Sequence, residues 1–206
     1  MQFWSEILTK ASWEKLISLN KEIDFILIGG WAAYLHTKIH KSKDIDIIVD
    51  YTTLNKLEQK YSLSKNTNLK KYEIKLEKFD IDIYVPYFSD LIIPVEDLKK
   101  ETTVINGIKT LKVEALLILK QGAEINRRNT IKGHKDTIDI LTLILKTEVY
   151  WKNYIKLLKK YKKENLRDEL IFIIKNFNDK NIKYLKITFN EFKKWKKEVL
   201  KKLKKI

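Results

Sequence analysis

The chain has 206 residues, 44% of them hydrophobic, and 42 Lys and Arg against 27 Asp and Glu give a formal net charge of +15. That length suits one large domain or two small ones with a real apolar core, and no apolar run is long enough to predict a membrane span. With no cysteine there can be no disulfide, thiol nucleophile or cysteine zinc site, and MQFWSEILTK lacks the charged-then-apolar order of a signal peptide, so a cytoplasmic protein is expected.

Phe3, Ile7, Leu8, Leu16, Ile17 and Leu19 space out an amphipathic helix over residues 3–21. An apolar run over 23–28 reads as a buried strand ending in Gly29-Gly30, followed by a short helix over 30–38 and a second strand over 44–50. Tyr51-Thr52-Thr53 offers an N-cap for a helix over about 53–61, and SLSKNTNL, residues 62–69, reads as a loop. Strands are predicted over 70–77 and 79–85, the latter closed by Pro86. Asn106-Gly107, between 102–105 and 108–111, is a hairpin signal. From Val113 the pattern turns helical, with helices near 113–126, 134–147, 149–162, 165–177 and 188–205. No Pro-, Gly- or Ser-rich linker and no internal repeat breaks the chain. The expected architecture is α+β with an α/β-type core: a small mixed sheet with flanking helices over 1–112, then a C-terminal helical region over 113–206, strongly basic from about 147.

Charge is distributed unevenly. Residues 146–206 carry 20 Lys and Arg against 7 Asp and Glu, whereas the first 145 residues carry 22 against 20. A basic surface recruits polyanions. Trp151, Tyr154, Tyr161, Phe172, Phe177, Tyr184, Phe189, Phe192 and Trp195 interleave with these lysines. Such interleaving suits nucleic-acid binding by stacking and phosphate contact, and equally an ordinary bundle with an aromatic core and a solvated lysine side.

Strand alternation puts Asp44 and Asp46 on one face and Ile45, Ile47 and Val49 on the other. Adjacent carboxylates repel, and a divalent cation relieves the repulsion. FDIDIYVP repeats the pattern with Asp80 and Asp82. Glycines leading into a helix leave backbone N–H groups that suit a phosphate. Taken singly these features also describe a plain turn and a solvated strand face, but three acids converging from two strands are hard to motivate by solvation. His36, His40 and His134 lack metal-ligand spacing and read as lone surface histidines; Trp31 and Tyr34 read as core.

The sequence I28-G29-G30, a spacer over residues 31–43, and D44-I45-D46-I47 resemble the hG[GS]…DhDh motif of the DNA polymerase β-like nucleotidyltransferase superfamily. The helical stretch EALLILKQGAEINRRNTIKGHKDTIDILTL is similar to its minimal toxin- and antibiotic-type members, and the resemblance covers roughly residues 20–145. It implies the nucleotidyltransferase fold and a metal-dependent enzyme of the 2.7.7 type. Such an enzyme moves a nucleoside monophosphate from an NTP to an acceptor hydroxyl and releases pyrophosphate. Asp44, Asp46 and a third acid would hold Mg²⁺ or Mn²⁺. Asp82 in I81-D82-I83-Y84-V85 fits the third position best, with Asp80 as the fallback. Gly29, Gly30 and Ser42 would grip the triphosphate, with Lys43 or Lys120 neutralising its charge. Lys120 is preferred because alternation turns Lys43 off the acidic face, and Lys135-Asp136 match a KDxxD-like element of the nucleotide site. Where many relatives read RxTxDxD, this chain reads H40-K41-S42-K43-D44-I45-D46, with Ser42 for the threonine and His40 for the arginine. The bland alternatives are a snorkelling Lys120 and a local Lys135–Asp136 pair. The acceptor implied is RNA, for instance tRNA, through the basic C-terminal helices, with a protein or small molecule as alternatives and a homodimer or protein partner in view. A different class is a non-catalytic nucleic-acid- or partner-binding protein on the same scaffold, such as a toxin–antitoxin component.

Overall fold

The computed structural model describes residues 4–206, in two compact units divided between Lys112 and Val113. The first unit runs through α1 (Glu6–Glu22), β1 (Ile26–Ile28), α2 (Gly29–Thr37), β2 (Ile45–Ile48), α3 (Tyr51–Glu58), β3 (Leu63–Asn66), β4 (Lys71–Lys75), β5 (Asp80–Tyr84), α4 (Val95–Leu98), β6 (Thr102–Ile105) and β7 (Ile108–Leu111). Its seven strands form one mixed sheet in the order β3-β4-β5-β2-β1-β7-β6. The β2–β5 and β1–β7 pairs are parallel, and the other neighbours are antiparallel. The three strands expected over 23–28, 44–50 and 79–85 therefore share a sheet, each shorter than its apolar run.

The central strands turn one apolar face into the core, as strand alternation allows. Leu27, Ile45, Ile47, Ile81 and Ile83 are fully buried. Trp31 of α2 joins this core: its indole N–H donates to Ser12 Oγ at 2.8 Å, and its ring meets Trp13 and Tyr34 edge-on or tilted. A buried Trp needs such a partner for its N–H. The hairpin between β6 and β7 turns on Asn106 and Gly107, at φ 52° and 77°, the left-handed pair that a two-residue turn demands.

Several sequence expectations need correction here. SLSKNTNL is not all loop, since Leu63–Asn66 pairs with β4 as an edge strand. Ser64 and Lys65 both stay exposed, so no apolar alternation marked it. The helix α3 starts at Tyr51, because Asp50 is its N-cap and accepts from the Thr53 N–H at 2.7 Å. The short α4 was not foreseen. His40 is buried rather than on the surface. Phe3, placed in the first helix by its spacing, lies outside the described residues.

The second unit is helical: α5 (Val113–Arg127), α6 (Ile131–Lys146), α7 (Trp151–Lys160), α8 (Asn165–Asn176), a 3₁₀ segment over Asp179–Leu185, and α9 (Phe189–Leu203). The 3₁₀ segment was not anticipated, and α6 begins three residues before its expected start, where Thr130 caps the Gly133 N–H at 3.0 Å. Gly133 allows a tight return from α5, for a Cβ there would stand 2.0 Å from the Arg127 carbonyl oxygen. α5 packs on α6, α7 and α8, and α9 on α8. Tyr154 is wholly buried and donates to Gln121 Oε1 at 2.8 Å, while Gln121 Nε2 donates to the Leu166 carbonyl at 2.7 Å. Tyr154, Phe177 and Phe192 thus belong to the core, whereas Phe172 and Phe189 remain 48% and 43% exposed. Among the described residues, no helix is long and apolar enough to cross a membrane.

Candidate active site

Register aligns a row of polar side chains across the first unit's sheet. Ile28 lies opposite Asp46, Asp46 beside Asp82, and Asp82 opposite Glu73. Cross-strand neighbours share a face, so Asp46, Asp82 and Glu73 rise together, while Ile45, Ile81 and Ile74 fill the other face. Asp44, two residues before Asp46, stands just ahead of β2 on that same polar face, and its Oδ1 accepts from the Asp80 N–H at 3.3 Å. Asp44, Asp46, Asp80 and Asp82 are all half-buried.

Gly29 turns the chain from β1 into α2 at φ +68°, directly against this row. A Cβ on Gly29 would fall 2.0 Å from Asp46 Oδ2. The glycine is thus required twice, for its backbone angle and for the room it leaves the carboxylate. Ile28 holds the N-cap position of α2 and has no side-chain acceptor to offer the first-turn N–H groups. By contrast α1, α3, α6 and α9 are capped by Ser5, Asp50, Thr130 and Thr188. Gly30 and Ser42 are buried, and Lys43 is half-buried.

The third carboxylate has a partner the sequence reading missed. Lys71 Nζ donates to Asp82 Oδ2 at 2.6 Å and lies 3.0 Å from Glu73 Oε1. Burial pushes the Asp82 carboxyl above its ordinary value; Lys71 opposes this, and Glu73 and Asp44 reinforce it. Burial pulls the Lys71 ammonium down, but Asp82 and Glu73 override it and hold it above the usual lysine value. The Glu73 carboxyl is held low, chiefly by its hydrogen bond from Lys71. Carboxylate oxygens are the donors that hard divalent ions such as Mg²⁺ prefer, so Asp44 and Asp46 fit one. Among the described residues, no three His, Cys, Asp or Glu side chains already form a cation cage. Lys71 and Glu73 escaped notice because their role depends on β4 pairing with β5, which no local pattern reveals.

In the helical unit, Lys120 is buried rather than snorkelling. Its Nζ donates to Asp136 Oδ1 at 3.0 Å and to Asp139 Oδ2 at 2.7 Å. Lys135 donates to Asp139 at 2.9 Å, and Arg127 Nε to Asp136 Oδ2 at 2.7 Å. Burial alone would lower the Lys120 ammonium and raise the Asp139 carboxyl. Opposite charge wins at both, leaving Lys120 above and Asp139 below its ordinary value. The structure therefore joins Lys120, Lys135 and Asp136 in one network and adds Asp139 and Arg127. Asp139 follows Asp136 by three residues on a helix, a spacing that marks a shared face.

No protein-family model matches the chain, and no curated protein matches it. Solved structures do. ANT(2″)-Ia, seen in complex with adenylyl-2″-tobramycin, aligns with a TM-score of 0.51 at 12% identity, over 75% of this chain and 96% of its own. A candidate nucleotidyltransferase from Helicobacter pylori aligns at TM-score 0.51 and 16% identity, over 98% of both chains. JHP933 from Helicobacter pylori gives 0.51 at 17% identity, over 98% of this chain and 95% of its own. The chain has the nucleotidyltransferase fold.

Proposed function

We propose that this protein is a metal-dependent nucleotidyltransferase that moves a nucleoside monophosphate from an NTP to an acceptor hydroxyl. The observation that carries the reading is the carboxylate row of β2 and β5 set against Gly29, at the uncapped start of α2. The N–H groups of Gly29 and Gly30 would bind triphosphate oxygens at the positive end of α2, with Ser42 and Lys43 beside them. Asp44 and Asp46 would hold the divalent cation. Bound there, a divalent cation would neutralise charge on the α-phosphate and on the departing pyrophosphate. The acceptor oxygen forms a bond to the α-phosphorus as the bond from that phosphorus to the β-phosphate's bridging oxygen breaks. Asp82 accepts the acceptor's proton, a role favoured by a carboxyl held above its ordinary value. Asp80 is the alternative base. Lys120, Lys135 and Asp136 are retained as nucleotide-binding candidates, Lys120 pairing with Asp136 and sharing Asp139 with Lys135.

RNA is the acceptor favoured by the second unit's charge. On α9 the apolar Phe192, Val199 and Leu203 are buried, while Lys193, Lys194, Lys197, Lys201 and Lys202 are exposed. Exposed Phe172 and Phe189 each carry a cation over the ring, Arg128 at 5.0 Å and Lys193 at 4.2 Å. Bases can stack at such positions while the cations meet phosphates. The test is incubation with each α-³²P-labelled NTP, Mg²⁺ and total RNA, beside an Asp44→Ala/Asp46→Ala control. Label on RNA only with intact aspartates supports the reading. Label on a protein band would replace the acceptor, and no label from any NTP, with RNA binding retained, would leave a non-catalytic scaffold.

A further inference from the structure

The polar face of β2, β4 and β5 carries Asp44, Asp46, Asp82 and Glu73, and one ammonium is built into it. Lys71 precedes Glu73 by two residues on β4, so both rise from the same side of the sheet. Its Nζ bridges Asp82 Oδ2 at 2.6 Å and Glu73 Oε1 at 3.0 Å. The three side chains are only 12%, 17% and 15% exposed, for Lys71, Asp82 and Glu73. An ammonium this buried, held by two carboxylates, is not a solvated surface pair that opens freely. Its positive charge, 2.6 Å from Asp82 Oδ2, repels a further cation there. A Cβ on Gly29 would fall 2.0 Å from Asp46 Oδ2, so Asp46 faces the start of α2.

We propose that Lys71 takes the place of a second metal ion at Asp82, so that the site works with one divalent ion, held by Asp44 and Asp46. The proposal rests on the nucleotidyltransferase reading and deepens it. Lys71 is then a positioning residue. It fixes the Asp82 carboxylate toward the acceptor hydroxyl and keeps it out of metal coordination, while Glu73 holds the ammonium from the other side.

The experiment counts ions on the full chain, by loss of the free Mn²⁺ paramagnetic resonance signal during titration at fixed ionic strength, with circular dichroism verifying the fold of each variant. Wild type is expected to take up one Mn²⁺. Lys71→Met keeps the stem without the charge and is expected to take up two, and Lys71→Arg one. Adding Asp82→Asn to Lys71→Met should return the count to one. A folded Lys71→Met that still takes up one ion overturns the proposal while leaving the Asp44–Asp46 site intact. Should Lys71→Met not fold, Asp82→Asn decides alone. An unchanged count of one supports the proposal, and a wild-type count of two that falls to one overturns it. Uptake of no ion by wild type and Lys71→Met alike would overturn the metal reading itself, and this proposal with it.

Discussion

Replacing Gly29 with alanine perturbs the site at its tightest point. At φ +68° an L-residue costs about 1–2 kcal/mol. The new Cβ would also lie 2.0 Å from Asp46 Oδ2 and 2.6 Å from Asp46 Cγ, where real Cβ contacts do not fall below 3.0 Å. The carboxylate must therefore retreat by about 1 Å, and a misplacement of that size around a reacting centre costs on the order of 100-fold in rate. Strain of this kind lowers stability by only about 1–3 kcal/mol, so the variant should stay folded. Gly107→Ala is the matched control: its φ is +77°, but nothing lies within 4 Å of the added carbon. Initial rates of labelled nucleotide transfer, with urea unfolding of each variant, separate the two effects. Gly29→Ala should lose about 100-fold in rate and Gly107→Ala almost none, while the stability loss at Gly107 reflects the backbone angle alone and that at Gly29 adds the contact with Asp46. A folded Gly29→Ala protein with the wild-type rate would refute the reasoning.

Lys120→Met should lower the unfolding free energy by about 3 kcal/mol, because Asp136 and Asp139 stay buried with one cation fewer, and urea unfolding reads it. The same network sets two pH limits. The folded value of Asp139 is depressed, so its contribution is present above the ordinary 3.8 and is lost as pH falls through the folded value. That of Lys120 is raised, so its contribution is complete below the ordinary 10.5 and is lost as pH climbs through the folded value. Urea midpoints across the pH range should show both arms, and Lys120→Met should flatten the alkaline one. Thr130→Ala removes the cap on Gly133 and should cost about 1 kcal/mol, with faster amide exchange at the start of α6. RNA affinity should fall steeply with salt, and Lys193→Ala/Lys197→Ala should reduce the slope by about 1–2; a flat salt response would remove RNA from the account.

Legibility followed the range of the interaction. Asn106-Gly107 encodes its turn in two residues, and both flanking strands were predictable. The alternation of D44-I45-D46 and D80-I81-D82 shows which side chains share a face, and the apolar frames show which face is core. β3 could not be read this way, because Ser64 and Lys65 gain strand geometry only by pairing with β4. Lys71 and Glu73 were hidden for the same reason, as their relation to Asp82 exists only once β4 and β5 are antiparallel neighbours. Lys120 looked like a residue at a helix edge because an ammonium after an apolar run usually reaches water. Its actual partners come from the next helix, sixteen and nineteen positions later.

The most direct measurement of the central claim follows two labels from one nucleotide. With α-³²P-labelled and γ-³²P-labelled forms of the NTP the protein accepts, the α-label should pass to the acceptor and the γ-label should leave as pyrophosphate. Both transfers should vanish in Asp44→Ala/Asp46→Ala. Transfer of the γ-label to the acceptor, or α-label transfer that persists without these aspartates, would contradict the account.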